Sequence, residues 1–155
     1  CSADFYRRLD DYEFMLKFET DSMVNLHSPY DILYFLRLGY DYYGAPWEWH
    51  QDLAHPSGGV GGNGGLSLRR VRVMIDQLTQ HPIDPTLPEG EDLHICTLDL
   101  KLPPLEGAKS VSFESLPHPS PWGCHKPWLR YLKLEDWENF RTYSPAVDTL
   151  KDLNC

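Results

Sequence analysis

"GGVGGNGGLSLRRVRVMIDQL", residues 58–78, packs six of the chain's eleven glycines into its first eight positions and then changes character. Glycine loses more backbone freedom on ordering than any other residue, so such a cluster needs a reason. Either it is a slack tether, or a backbone there must approach something closely. The residues after the cluster favour close approach. Leu66 and Leu68 alternate with polar residues as in a short strand, and Val71, Met74, Ile75 and Leu78 then fall at i, i+3, i+4, i+7, the stripe of an amphipathic helix. A strand running straight into a helix is an α/β signature, with Arg69 and Arg70 at the junction. A flexible loop accounts for Gly58 to Gly62. Asn63-Gly64-Gly65, abutting the strand, is expected to form one wall of a ligand site.

The letters Gly59-Val60-Gly61-Gly62-Asn63-Gly64 also spell GxGxxG, the dinucleotide fingerprint. That motif must follow a strand and open a helix. Here "WHQDLAHPS" precedes it and the strand-like "LSL" comes after it, and no GK[ST] marks a phosphate loop.

Upstream, "EFMLKFETDSMV" (13–24) sets Phe14, Leu16 and Phe18 in alternation, a strand that ends in the acidic group Glu19-Thr20-Asp21-Ser22. "DILYFLRLGYDYYGAPWEW" (31–49) reads as an apolar segment, Gly39, an aromatic run and a turn at Gly44-Ala45-Pro46. Downstream, the prolines of "HPIDPTLPEG" (81–90) predict a helix-free connector. "EDLHICTLDLKL" (91–102) opens with two acids, the charge preference of a helix start, with Leu93, Cys96 and Leu100 on one face. "AKSVSFES" (108–115) reads as another strand, "LPHPSPWGCHKPWLRYL" (116–132) as a Pro- and Trp-rich loop, and "LEDWENFRTY" (134–143) as a surface helix or irregular arm. The expected class is α/β with mixed strand directions.

At 155 residues the chain is long enough for one domain with a real core, and 41% hydrophobic and 13% aromatic content place it among globular rather than disordered sequences. A net charge of −9 excludes the basic face a nucleic-acid binder needs, and no run approaches a membrane span. Cys1, Cys96, Cys124 and Cys155 form no CxxC pair, so a zinc ribbon or thioredoxin-type site is not expected, while disulfides stay open. No internal repeat is present. With no initiator Met and no signal peptide, the chain reads as a piece of a longer protein.

Three polar groups could carry chemistry. Glu19-Thr20-Asp21 sits where a strand ends; carboxylates there suit a hard divalent cation, and equally an ordinary strand-end turn. Glu91 and Asp92 follow Gly90 at a helix start, where acids also serve simply to stabilise the terminus. His125 lies in "WGCHKPW" beside Trp122 and Trp128, whose indoles suit either sugar stacking or hydrophobic anchoring.

The succession "YDYYGAPW", "GNGGLSLR", "ED" and "GCHKPW" resembles a large family of glycosyltransferase-like domains marked by GAPW followed by GNGGFSLR, which in turn resembles the GT-A glycosyltransferases. The resemblance covers residues 13–128 of a single partial domain spanning 1–155, with 129–155 as a C-terminal arm. It implies the mixed-sheet, acceptor-side portion of a GT-A (nucleotide-diphospho-sugar transferase) fold. In that fold, strands ahead of the acidic motif bind the nucleotide; only residues 1–12 precede residue 13, so the N-terminal nucleotide half is expected to be largely missing.

The resemblance also implies roles. Asp21, with Glu19 two residues earlier, takes the place of the DxD-type motif that holds a divalent metal and the donor diphosphate. His125 matches the histidine that completes the metal or diphosphate site. Asn63, Gly64 and Gly65 match the loop lying against donor sugar and phosphates, and Arg69 is expected to face the phosphates. Asp92 matches the acid that takes the acceptor proton in inverting members, with Glu91 orienting it or touching the sugar. Carboxylates plus one imidazole suit Mn²⁺ or Mg²⁺ better than zinc.

The expected function is therefore a metal-dependent transfer of a sugar from a nucleotide-sugar donor to a glycan or other acceptor hydroxyl, with no nucleic-acid partner and no membrane segment. The alternatives are a non-catalytic carbohydrate-binding or scaffold module on the same fold, or a metal-dependent hydrolase using the same acids. Golgi or secretory lumen and cytoplasm both stay open as locations.

Overall fold

A computed structural model describes residues 2–48, 55–84, 86, 90–126, 138 and 141. The segment from Asn63 to Arg70, β4, is the centre of the architecture. It is an eight-residue strand rather than a short one, flanked by antiparallel neighbours β1 (Phe14–Phe18) and β3 (Tyr42–Ala45) in the order β1-β4-β3. Phe18 pairs with Leu66 and Phe14 with Arg70 on one side, and Tyr43 pairs with Leu68 on the other. A second sheet, β2-β6-β5, comprises β2 (Ser22–Val24), β6 (Gly123–His125) and β5 (Ser112–Phe113). Here β2 and β6 run antiparallel while β5 and β6 run parallel. The expected α/β class with mixed strand directions is what is found.

Two apolar clusters hold the first sheet, and the adjacent tyrosines of β3 divide between them as strand geometry requires. Tyr42 joins Val71, Met74, Ile75, Leu78 and Ile95, whereas Tyr43 joins Leu66, Leu68, Phe35, Val111 and Trp122. The four apolar residues read as a helical stripe are the buried face of α3 (Val71–Gln80). That helix has no side-chain cap at Arg70. A cap is worth about 1 kcal/mol, against roughly 1.5–3 kcal/mol for each large apolar side chain buried, so packing decides its formation. Two other helices, α1 (Ala3–Arg7) and α2 (Ile32–Leu38), are capped: Ser2 and Asp31 accept backbone N–H bonds, and Gly39 ends α2 at φ 69°.

Several sequence expectations are corrected. The turn at Gly44-Ala45-Pro46 is instead the end of β3, because the backbone there lies flat against the glycine segment: a Cβ on Gly62 would strike the Ala45 carbonyl. The glycine segment is no slack loop, since Gly59, Gly61 and Gly62 are buried, and side chains on them would meet Leu102, Cys96 and Ala45. The first half of "AKSVSFES" is the end of α5 (Leu105–Val111), with β5 reduced to two residues. Pro104 starts that helix, and Ala108 and Val111, spaced i and i+3, turn inward, a pattern that short alternation masked.

The helix α4 (Glu91–Thr97) forms as expected but buries Ile95 and Cys96, while Leu100 is buried beyond its end. The Pro-rich loop contains β6. Phe14, Leu16 and Phe18 do mark a strand, yet Leu16 and Phe18 are exposed and Lys17 lies on the more protected face. No helix among the described residues is long and apolar enough to cross a membrane. Trp128 and the arm 129–155, apart from residues 138 and 141, lie outside the described residues, as do Cys1 and Cys155. Cys96 and Cys124 are buried free thiols, and burial pushes Cys96 up to about 12, far from a reactive thiolate.

Candidate metal centre

A tight turn joins β1 to β2, with the Ser22 amide donating to the Glu19 carbonyl (3.0 Å). It is pinned to the glycine strand twice: the Glu19 amide and the Ser22 hydroxyl both donate to the Gly65 carbonyl, at 2.8 and 3.0 Å. The pairing of β2 with β6 then sets Ser22 opposite His125. Glu19, Asp21 and His125 are thereby gathered so that one ligand atom from each lies within 4.8 Å of the others.

The orientation of each carboxylate is the informative part. Glu19 gives Oε1 to Lys17 (2.9 Å) and turns Oε2 toward His125 Nε2 (3.3 Å). Asp21 gives Oδ2 to Lys126 (3.5 Å) and turns Oδ1 toward the same Nε2 (3.2 Å). Each lysine thus holds the outer oxygen of one acid, leaving Oε2, Oδ1 and Nε2 converging on a common point. Asp21 Oδ1 and His125 Nε2 are buried with no hydrogen-bond partner among the described residues. Buried polar atoms ordinarily have partners, and two acid oxygens with one imidazole nitrogen are a donor set for a hard divalent ion. The residues present fit such a cation. The Lys17 hydrogen bond holds the Glu19 carboxyl below the usual carboxylate range despite some burial, so it stands ready as an anion.

Gly64 and Gly65 face this chemistry with protein side chains, not with open space. A Cβ on Gly65 would collide with the His125 imidazole, and one on Gly64 with the Arg69 guanidinium and Asp92 carboxylate. Asn63 accepts from the Gly65 amide (2.7 Å), folding the chain at the start of β4. These glycines admit site side chains, where the sequence pattern suggested that they admit a substrate.

Arg69 also differs from expectation. Its side chain is fully buried rather than presented to a phosphate. The guanidinium donates to Glu91, to the Tyr6 hydroxyl (2.8 Å) and through Nε to Ser67 (3.0 Å), and stands 3.7 Å from Asp92 Oδ1. Burial alone would depress the Arg69 pKa, but Tyr42, Tyr6 and Glu91 outweigh it and raise it. Reciprocally, burial would raise Glu91, yet Arg69 and Lys17 hold its carboxyl below the usual range. Glu91 and Asp92 begin α4, whose N-cap is Gly90 without a side-chain cap bond. The Asp92 carboxylate reaches toward Gly64 and Arg69, while its charge also suits the first turn of α4. Lys17, bound to Glu19, also lies 3.9 Å from Glu91, which puts the acid pair and the histidine cluster side by side.

All nine residues singled out from the sequence therefore belong to one region. Four more were missed. Lys17 was hidden between Leu16 and Phe18, where strand alternation could have flagged it. Lys126 is adjacent to His125. Glu114, buried behind the imidazole with Oε2 3.6 Å from Nδ1, sat in a segment read only as strand. Tyr6 left no sequence signal.

Fold and site together define a mixed α/β domain with an acidic–histidine cluster beside an arginine-anchored acid pair. The chain belongs to the family described as Protein of unknown function (DUF5672), whose model matches residues 1–125. No curated protein and no solved structure matches it.

Proposed function

We propose that this domain is the acceptor-side part of a metal-dependent glycosyltransferase of GT-A type, moving a sugar from a nucleotide-sugar donor to an acceptor hydroxyl. The observation that carries the reading is the convergence of Glu19, Asp21 and His125, with unpartnered buried atoms, next to a second pair of carboxylates at Glu91 and Asp92. Sugar transfer calls for this pairing of functions: charge stabilisation at the departing diphosphate and a base at the attacking hydroxyl. The mixed sheets agree with such a fold.

In this reading Glu19, Asp21 and His125 would hold Mn²⁺ or Mg²⁺, which supplies Lewis-acid stabilisation of the leaving diphosphate. Lys17 and Lys126 fix the outer oxygens of the two acids. Asp92 accepts the acceptor proton, and Arg69, anchored by Tyr6 and Ser67, fixes Glu91 and Asp92 in place. The test is Mn²⁺ titration of this domain, followed by donor hydrolysis and transfer by the intact protein with and without a strong chelator. Cation binding with chelator-sensitive turnover supports the proposal; turnover indifferent to chelation sinks the metal assignment.

One observation favours the alternative, a carbohydrate-binding or scaffold module. Arg69 offsets the charge of both acids, and an ion-paired carboxylate is a weaker base. That module would bind glycan without cation and show no donor hydrolysis in the intact protein.

A further inference from the structure

We infer that Glu114 is a positioning residue that accepts the Nδ1–H of His125 and so leaves the Nε2 lone pair for a cation shared with Glu19 and Asp21. The inference rests on the cation site proposed above.

The backbone ladder brings the pair together. In the parallel pairing of β5 with β6, Ser112 lies opposite Gly123 and Phe113 opposite Cys124. Glu114 and His125 each follow by one residue. Both are buried, at 7% and 1% exposure, which removes water as the easy partner for either. Glu114 Oε2 stands 3.6 Å from His125 Nδ1, and neither atom has a hydrogen-bond partner among the described residues. A shift of about 0.5 Å by either side chain brings them within hydrogen-bond range.

A neutral imidazole carries one N–H. Placed on Nε2, it leaves the Nδ1 lone pair against a carboxylate oxygen in a buried setting, which is repulsive. Placed on Nδ1, it meets Glu114 favourably but leaves the Nε2 lone pair against Asp21 Oδ1 (3.2 Å) and Glu19 Oε2 (3.3 Å), an arrangement that becomes favourable when the three atoms share a divalent cation. Metal-binding histidines commonly donate their other ring N–H to a carboxylate in this way, and removing that partner costs about 10–100-fold in metal affinity. Glu114 is no ligand itself, because it faces the opposite ring nitrogen and lies outside the converging set.

The experiment combines Mn²⁺ affinity, read from the electron paramagnetic resonance of the free ion, with ¹⁵N spectra of the His125 ring in metal-free and Mg²⁺-loaded protein. Wild type, Glu114→Gln and Glu114→Ala are compared, each checked for its thermal transition. The expected result is an Nδ1–H tautomer in Mg²⁺-loaded wild type that Glu114→Gln keeps, since the amide oxygen still accepts. Glu114→Ala should bind Mn²⁺ about 10–100-fold more weakly. An Nε2–H tautomer or a doubly protonated ring in Mg²⁺-loaded wild type overturns the inference, as does Glu114→Ala with affinity unchanged. If Glu114→Ala does not fold, the wild-type tautomer and the Glu114→Gln affinity decide. A wild type with no Mn²⁺ affinity removes the cation reading and this inference with it, whereas unchanged affinity in Glu114→Ala removes the inference alone.

Discussion

Gly65 and His125, far apart in sequence, interlock: the imidazole of His125 occupies the space that a side chain on residue 65 would need. The same glycine receives the Glu19 amide and the Ser22 hydroxyl on its carbonyl. One residue of β4 therefore fixes both the acid turn and the histidine. Gly65→Ala is expected to displace His125, with overpacking costing roughly 1–3 kcal/mol and Mn²⁺ affinity falling at least about tenfold, on the scale of disrupted metal-site geometry. Gly90→Ala, where a Cβ meets nothing among the described residues, should leave Mn²⁺ affinity unchanged and cost no more than about 1 kcal/mol at the N-cap of α4. Melting temperature and Mn²⁺ titration on the two variants check this; unchanged cation binding in Gly65→Ala would detach the glycine from the site.

Asp21→Asn separates a cation site from a cluster of acids that merely sits there. Asp21 Oδ1 faces His125 and lies near Glu19 in a buried setting. Removing one negative charge should leave the metal-free protein about as stable as before. The stabilisation that Mn²⁺ gives wild type, which follows RT ln(1 + [L]/Kd), should disappear. Thermal scans over a range of Mn²⁺ concentrations read both effects. A variant that keeps the full cation-dependent shift in Tm would show that Asp21 is not a ligand.

The central motif was legible because it obeys two local rules at once: Leu66 and Leu68 alternate as a buried strand, and Val71 to Leu78 carries a helical stripe that packing realises. The candidate site was legible only through motif order, since Glu19, Asp21 and His125 come together through the β2–β6 pairing, which no local pattern encodes. The failures are physical too. The resemblance implies an Arg69 that faces phosphates, but the guanidinium turns inward to Tyr6, Ser67 and two acids. The α5 helix was missed because its inward residues, Ala108 and Val111, fall inside a stretch that alternates just as well.

Arg69→Met should be among the most damaging single changes in the described region. It leaves the partly buried Glu91 and Asp92 carboxylates without their shared cation, a loss of the kind that costs about 3–5 kcal/mol when one partner of a buried pair is removed. Arg69→Lys should rescue only part of this, because an ammonium cannot reproduce a fork that serves Glu91, Tyr6 and Ser67 together. Chemical denaturation of both variants checks the order. Equal stability of wild type and Arg69→Met would remove the anchoring role.

The Arg69–Glu91 pair also sets an acid dependence. The Glu91 carboxyl is held below its ordinary value in the folded protein. Its contribution is therefore fully present above the unfolded-state value, near about 4.3, and is lost as pH falls through the lowered folded value. The stability difference between wild type and Glu91→Gln should be constant from neutral pH down to about 5 and shrink below about 4. Denaturant titrations at a series of pH values test this, and a difference that grows on acidification would contradict the lowered pKa.

Asp92→Asn bears most directly on chemistry. Gly90 is the N-cap of α4 and has no side chain to cap with, so the ordinary role left to Asp92 is its charge in the first turn, worth about 0.3–1 kcal/mol. Asn keeps the shape of Asp against Gly64. Arg69 keeps its bonds to Glu91, Tyr6 and Ser67, so the fold should lose no more than about 1–2 kcal/mol. As a base toward an acceptor hydroxyl, however, the amide is useless, and kcat for sugar transfer by the intact protein should fall by about 10²–10⁴. Mn²⁺ affinity should hardly change, because the converging oxygens belong to Glu19 and Asp21. The three readouts together distinguish the roles open to Asp92. Lost transfer with normal folding and normal cation binding marks the base. Loss divided between kcat and KM, with product anomer analysis showing retention, assigns Asp92 to holding acceptor or sugar instead. A variant that keeps more than about a tenth of wild-type kcat, a barrier change under about 1.4 kcal/mol, would refute the base role.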